Sequence, residues 1–259
     1  MNYSITSLAI AAFLVLSLTN CGGENIENTQ VPVEQTVTET FDQRAKHELE
    51  AKLQIPATEK YTYAVYREYI NSDTVKDAII TINRLSFAID EAIRSKKNTA
   101  KSAELGYMGN YNLFIYYDGA SDKFSVPIPI PSTPGRPLDI SFESILSPTR
   151  KDIVIGYRIL NSGWKAYFSV LNESDLLLVF RWKLFDYAGT AKAEALYHSL
   201  EENTVGGVAK DIVIRESVLE NNSVTGIGDI YKFEPVMNKK GKELYHFVYE
   251  PRAAKYRVK

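Results

Sequence analysis

Three short runs repeat almost letter for letter along this chain: Lys76-Asp77-Ala78-Ile79-Ile80, Lys151-Asp152-Ile153-Val154-Ile155 and Lys210-Asp211-Ile212-Val213-Ile214. Each is a continuous apolar triplet rich in β-branched residues. A strand with one wet face alternates apolar and polar residues, so an unbroken triplet marks a strand buried on both faces. A chain with three such strands needs sheet or helix layers on either side of each of them. The runs lie 75 and 59 residues apart. The last two are followed by similar strand patterns, Ala166 to Val170 and Leu176 to Trp182 in one case, Ile230 to Glu234 and Glu243 to Tyr249 in the other. Around the first, the matching strand is Asn112 to Tyr117, with a turn at Asp118-Gly119. The period predicts tandem units of two to four antiparallel strands. The alternative is that Lys-Asp followed by an apolar triplet is simply a common strand entrance. Tyr-rich composition, 17 residues of 259, favours pleated half-buried surfaces and supports the β reading.

The expected fold class is mainly β with two or three helices, built from tandem antiparallel sheet units as an open propeller-like arrangement or a two-sheet sandwich. Apolar Phe41, Ala45, Leu49 and Leu53 recur at four-residue spacing and predict a helix ending before Pro56. Leu85, Ala88, Ile89, Ala92 and Ile93 predict a second, over Leu85 to Lys96, packed on a sheet. A third is expected over Thr190 to Leu200. Val126 to Leu138 carries five prolines, which cannot donate to a strand ladder. It reads as an edge or polyproline crossing, the candidate division of the β-rich domain spanning 41–259. The order of strands resembles the integrin-type FG-GAP repeats of β-propellers. Those carry an acidic calcium loop before the buried strand. Here Ser147-Pro148-Thr149-Arg150 and Gly206-Gly207-Val208-Ala209 stand at that place before the second and third runs, so the resemblance implies no calcium. Three units also fall short of the 4–8 blades that close an ordinary propeller.

The N-terminus carries a second message. Residues 5–18 (ITSLAIAAFLVLSL) contain no charge, and Cys21, the single cysteine, follows at once. This apolar stretch suits a secretory signal and is shorter than the roughly 20 residues a bilayer span needs. Leu18-Thr19-Asn20-Cys21 resembles the lipobox of bacterial lipoproteins, with Asn20 where that pattern has Gly, Ala or Ser. The resemblance covers residues 1–23. It implies a signal peptide over 1–20, lipidation of Cys21 with a diacylglyceryl thioether and an N-acyl chain, and anchoring to a membrane of the bacterial cell envelope. Gly22 after the cysteine is compatible with passage to an outer membrane. Residues 21–40 are then a lipidated, polar, flexible tether. Several acyl chains anchor where one is marginal.

Chemistry is sparse. A formal charge of −2 gives no basic face for nucleic acid. The histidines are His47, His198 and His246, none in a nucleophile motif, and no His/Asp/Glu group has zinc spacing. His47 reads as solvated, His246 as the outward face of a strand. Gly106-Tyr107-Met108-Gly109 lacks the residues of a phosphate loop. No catalytic residue, cofactor or metal ligand is expected. The favoured function is a lipid-anchored exported protein whose β-rich domain binds another envelope protein or a glycan without catalysis. The alternatives are a carboxylate-dependent hydrolase of envelope polymers, recognisable by a concave pocket with convergent carboxyls, and a carrier of apolar ligands. Replacing Cys21 with serine is expected to move the protein out of the membrane fraction, and mass spectrometry should find the mature N-terminus acylated at Cys21. An unacylated, soluble wild-type protein would end that expectation.

Overall fold

The computed structural model describes residues 39–95, 109–172, 175–222, 234–239 and 241–259. Cys21, the signal segment, the tether up to residue 38, the Gly106 stretch and the strand expected over 230–233 lie outside the described residues; Glu234 itself is in no strand. Among the described residues the fold is mainly β, with two antiparallel sheets and no barrel closure.

The chain enters through α1 (Phe41–Leu53), which Thr40 caps. The Thr40 hydroxyl accepts the Gln43 N–H, and the Gln43 side chain accepts the Thr40 N–H, satisfying two donors that a helix start leaves open. Gln54, left-handed at φ 51°, ends the helix before Pro56. The first sheet follows as β1 (Thr62–Glu68), β2 (Asp77–Asn83), β3 (Asn112–Asp118) and β4 (Lys123–Phe124), in that spatial order. Helix α2 (Leu85–Ser95) lies between β2 and β3 in the chain and buries Ala88 and Ala92, with Ile89 and Tyr111 packed around them. Of the proline-rich segment, only β5 (Ile128–Pro129) is strand, a two-residue edge on β3.

Among the described residues the second sheet has nine strands in two halves. One half is β6 (Asp139–Glu143), β7 (Asp152–Ile159), β8 (Ser162–Val170) and β9 (Leu176–Asp186). The other is β10 (Glu194–Glu201), β11 (Asp211–Leu219), β13 (Glu243–Glu250) and β14 (Lys255–Val258), with the two-residue β12 (Met237–Asn238) on the far end of β11. Only two residue pairs, Glu194 with Asp186 and Ala195 with Phe185, join β10 to β9. The three Lys-Asp runs therefore start β2, β7 and β11, the second strand of three successive four-stranded meanders.

Segment 190–200 is not a helix. Its latter part is β10, where Leu196, His198 and Leu200 share one face and Tyr197, Ser199 and Glu201 the other. That alternation has period two, and pairing of seven residues with β11 overrides the local helix preference of Ala, Glu and Leu.

Both-sided burial of the triplets holds. Ala78, Ile80 and Ile82 face Ala45 and Leu49 of α1. Ile79 of the same strand faces the other way, with Phe114 and Tyr116, onto Ile153, Ile155 and Phe168. The opposite face of the β6–β9 half, Val154 and Tyr167, packs on Ile212, Ile214, Phe247 and Tyr256. Layers thus follow in the order α1, β1–β4, β6–β9 and β10–β14. Tyrosine serves these interiors: Tyr116, Tyr157, Tyr167 and Tyr256 are all buried.

The aspartate in each run has a shared task. Asp77, Asp152 and Asp211 are fully buried. Asp77 Oδ2 accepts the N–H groups of Ile70 and Asn71, and Asp152 Oδ2 those of Ile145 and Leu146, seven and six residues back in both cases. Asp211 Oδ2 accepts the Thr204 N–H, again seven back, and the Thr204 hydroxyl. The loop entering each strand is held by a carboxylate that would otherwise be desolvated without partners. Asp152→Ala should therefore cost about 2–4 kcal/mol, since it orphans two buried N–H groups. Urea unfolding checks this, with a loss below 1 kcal/mol contradicting it.

Candidate functional site

Strand β7 outruns its neighbour. Asp139 of β6 pairs with Gly156, so Tyr157, Arg158 and Ile159 continue without a β6 partner. Residues 133–138 bend around that end, where the Thr133 N–H donates to the Arg158 carbonyl at 2.7 Å and the Leu160 N–H to the Thr133 hydroxyl at 2.9 Å. The result is a cleft of about 580 Å³. It is lined by Tyr66 of β1, by Arg136, Asp139, Tyr157, Arg158 and Trp164, by Leu184 and Phe185 at the end of β9, and by Glu234, Pro235 and Met237.

Register explains its aromatic wall. Tyr157 and Trp164 face each other across β7 and β8, and their rings lie 6.4 Å apart with planes 15° from parallel. The Arg181 guanidinium and the Lys183 ammonium sit over the Trp164 ring at 5.8 and 5.7 Å, within cation–π range. Next along the strands, Arg158 is opposite Gly163, and Gly163 is opposite Phe185. A Cβ on Gly163 would lie 2.1 Å from the Phe185 ring. Glycine there lets Phe185 lie on the β8 backbone, and the Arg158 guanidinium lies over that ring at 4.7 Å.

The charges are unevenly disposed. Arg158 is only 9% exposed. Burial lowers its pKa, the Arg136 charge lowers it further, and Glu234 opposes both; an arginine nonetheless stays protonated. Arg136 is ion-paired with Glu234 at the rim. Asp139 is exposed. The cleft's two carboxylates therefore face solvent, while one of its guanidinium groups does not.

Other titratable residues have structural settings. His47 is exposed on α1, as expected, and lies 2.6 Å from Glu39. His246 does lie on the outward face of β13, yet its ring is only 16% exposed and not solvated: Nε2 is 2.8 Å from Asp211 and Nδ1 3.3 Å from Glu243. Burial pushes Asp211 up, but the Thr204 hydroxyl and His246 outweigh it and hold the carboxyl below its usual range. Among the described residues, Asp73, Asp77 and Asp118 are the one carboxylate group close enough to share a cation, with oxygens within 4.8 Å. The expectation of no carboxylates before a buried strand considered the second and third runs; Asp73 precedes the first, and Asp118 reaches it by β2–β3 pairing. Their oxygens already accept N–H groups from Ile70, Asn71, Val75, Gly119 and Ala120, and burial raises Asp77. These bonds account for the cluster as a loop clamp.

None of the cleft residues was singled out from sequence. A signal existed in Tyr157-Arg158 and Gly163-Trp164 flanking a tight turn, but nothing in one dimension says that β6 stops short of them. Comparison with protein-family models, curated proteins and solved structures returns no match to this chain.

His198 supplies a test of the interior. Its Nε2 lies 2.8 Å from the Lys183 carbonyl, which can only accept, so that nitrogen carries the hydrogen. Nδ1 then accepts the Tyr167 hydroxyl at 3.1 Å. Burial lowers its pKa to about 4, so the folded ring is neutral where the unfolded one titrates near 6.5. The unfolded chain binds the extra proton between these values, and stability present above about pH 6.5 is lost as pH falls towards 4, on the order of 3 kcal/mol. His198→Gln should flatten that part of the stability–pH curve; an equal loss of unfolding free energy between pH 7 and 4.5 in wild type and variant would refute the assignment.

Proposed function

We propose that this chain is an exported, lipid-anchored, non-catalytic binding module, tethered through Cys21 to a membrane of a bacterial cell envelope, and that the cleft at the end of β7 takes its ligand, a glycan. The observation that carries this is Trp164, half-buried in a concavity of about 580 Å³ and backed by the buried ring of Tyr157. Ligand sites typically measure roughly 300–1,000 Å³ and combine aromatic walls with a few polar groups. Aromatic rings give large contact area at small cost in side-chain entropy.

Hydrolysis by a carboxylate pair is less well supported. It calls for one carboxyl kept protonated by burial or a like charge. Asp139 and Glu234 are exposed, and Glu234 is occupied by Arg136. Asp77, whose pKa burial does raise, does not line the cleft.

Titration of the protein with envelope polysaccharide fragments, followed by tryptophan fluorescence and calorimetry, is expected to show saturable binding. Trp164→Ala should weaken it about tenfold or more, as removal of a central aromatic contact does, while Trp164→Phe retains most of it. Tyr69→Ala, outside the cleft, should have no effect. Equal affinity of wild type and Trp164→Ala would reject the site.

A further inference from the structure

Resting on the lipid anchor of that reading, and independent of its glycan, we infer that one end of the domain lies on the membrane surface. It is the end built from the three aspartate-held loops, whose exposed apolar tips enter the lipid headgroup region. Loops 69–76, 144–151 and 202–210 lead into β2, β7 and β11 and form one continuous row. The Lys151 N–H donates to the Ile70 carbonyl and the Lys210 N–H to the Ile145 carbonyl, both at 2.8 Å, so each loop is stitched to the next. The turn between β8 and β9 joins the row, where the Arg150 guanidinium donates to the Val170 carbonyl at 3.3 Å. Val205 and Val208 of the third loop are 64% and 72% exposed. Tyr69 and Val75 of the first loop, and Leu171 of the turn, are exposed beside them. Apolar groups set close together on a surface mark a place of contact.

The point where the chain enters the domain favours the membrane as occupant. Helix α1 starts at this same end. Phe41 packs on Tyr117 and Phe124, and Asp42 lies 2.6 Å from Arg67. Arg67 and Tyr117 both pair with Ala78, the residue after Asp77. Residues 22–38 join this end to Cys21, and a chain of that length spans at most about 60 Å. An anchor attached there gives this end the highest effective concentration at the lipid surface. The polar groups agree. Asp77, Asp152 and Asp211 are withdrawn into the interior, whereas Lys76 is exposed and Lys151 and Lys210 are half-exposed, Lys151 pairing with Glu68. The run carboxylates therefore add no exposed negative charge, and the lysines suit anionic headgroups. Tyr69, with the Lys76 ammonium 5.4 Å over its ring, is the kind of side chain that settles at headgroup depth. The cleft is at the other end of β7, where Arg158 stands about 20 Å beyond Asp152, so this contact leaves it open to solvent.

The test uses the full chain, in which an acylated Cys21 leaves no thiol and an introduced cysteine is the single labelling site. Val208→Cys, Val75→Cys and, at the opposite end, Leu160→Cys each carry a fluorophore. Each protein is reconstituted into phosphatidylethanolamine–phosphatidylglycerol vesicles containing a nitroxide headgroup lipid. The labels at 208 and 75 should be quenched about threefold or more strongly than the label at 160, as for groups within the roughly 5–10 Å interfacial layer. Adding Val205→Asp and Val208→Asp to the Val75→Cys protein should remove about half or more of its quenching, because a charge resists leaving water. Unchanged quenching in that variant means tethering without contact and overturns the inference. Equal quenching at the two ends overturns it as well, and in both cases the anchor stands. A dimer in sedimentation that the aspartate pair dissolves assigns the face to a second copy and also overturns it. Uptake of label by the wild-type chain shows a free Cys21, which overturns the lipid anchor and this inference with it.

Discussion

Everything in this fold is arranged around a buried carboxylate at the head of each central strand. Asp77, Asp152 and Asp211 are fully buried, and each is held by the loop before it: two amide N–H groups for Asp77 and Asp152, and the Thr204 N–H and hydroxyl, joined by His246, for Asp211. Hydrogen bonds to charged groups contribute about 1.5–3 kcal/mol each, and here they fix both the loop and the first residue of the strand it feeds. The same geometry links neighbouring layers. Lys151, just before Asp152, donates its N–H to the Ile70 carbonyl, and Lys210, just before Asp211, donates to the Ile145 carbonyl, both at 2.8 Å. Ile70 and Ile145 are themselves the residues whose N–H groups the preceding aspartates hold. The first two clamps thus each present the carbonyl that receives the next layer.

The stack has two different ends. On one side α1 lays Ala45 and Leu49 over the outer face of β2 and β3, removing from water an apolar surface that would otherwise invite aggregation. On the other, the outer face of β10–β14 is ionic. Arg215 bonds Glu201 at 2.6 Å and lies 3.6 Å from Glu243, and Arg257 pairs with Glu250 on the edge strand. A charged outer face ends a layered array as a capping unit ends a solenoid. Edge charges on β14 discourage pairing with another strand.

Local patterns carried much of this and missed what depends on register. Apolar triplets identified the strands buried on both faces because that property is encoded residue by residue, and the four-residue spacing of Phe41, Ala45, Leu49 and Leu53 did the same for α1. Segment 190–200 was misread because Ala, Glu and Leu favour helix locally while the alternation of Leu196, His198 and Leu200 only gains meaning beside β11. The aspartates stood inside the repeated runs from the start, yet their partners lie in loops with no common sequence. The cleft was invisible for a stricter reason. It exists because β6 is three residues shorter than the strand it pairs with, and because Glu234 and Met237 arrive from more than 70 residues further along the chain than Tyr157.

Phe185 occupies three positions at once. It lies over the bare backbone of Gly163, carries the Arg158 guanidinium, and forms one of the two residue pairs joining the halves of the large sheet. A ladder that short lets the large sheet fold over on itself, so that its two halves meet face to face through Val154, Tyr167, Ile212 and Phe247. One ring thus lines the cavity and stands at the crease of the sheet.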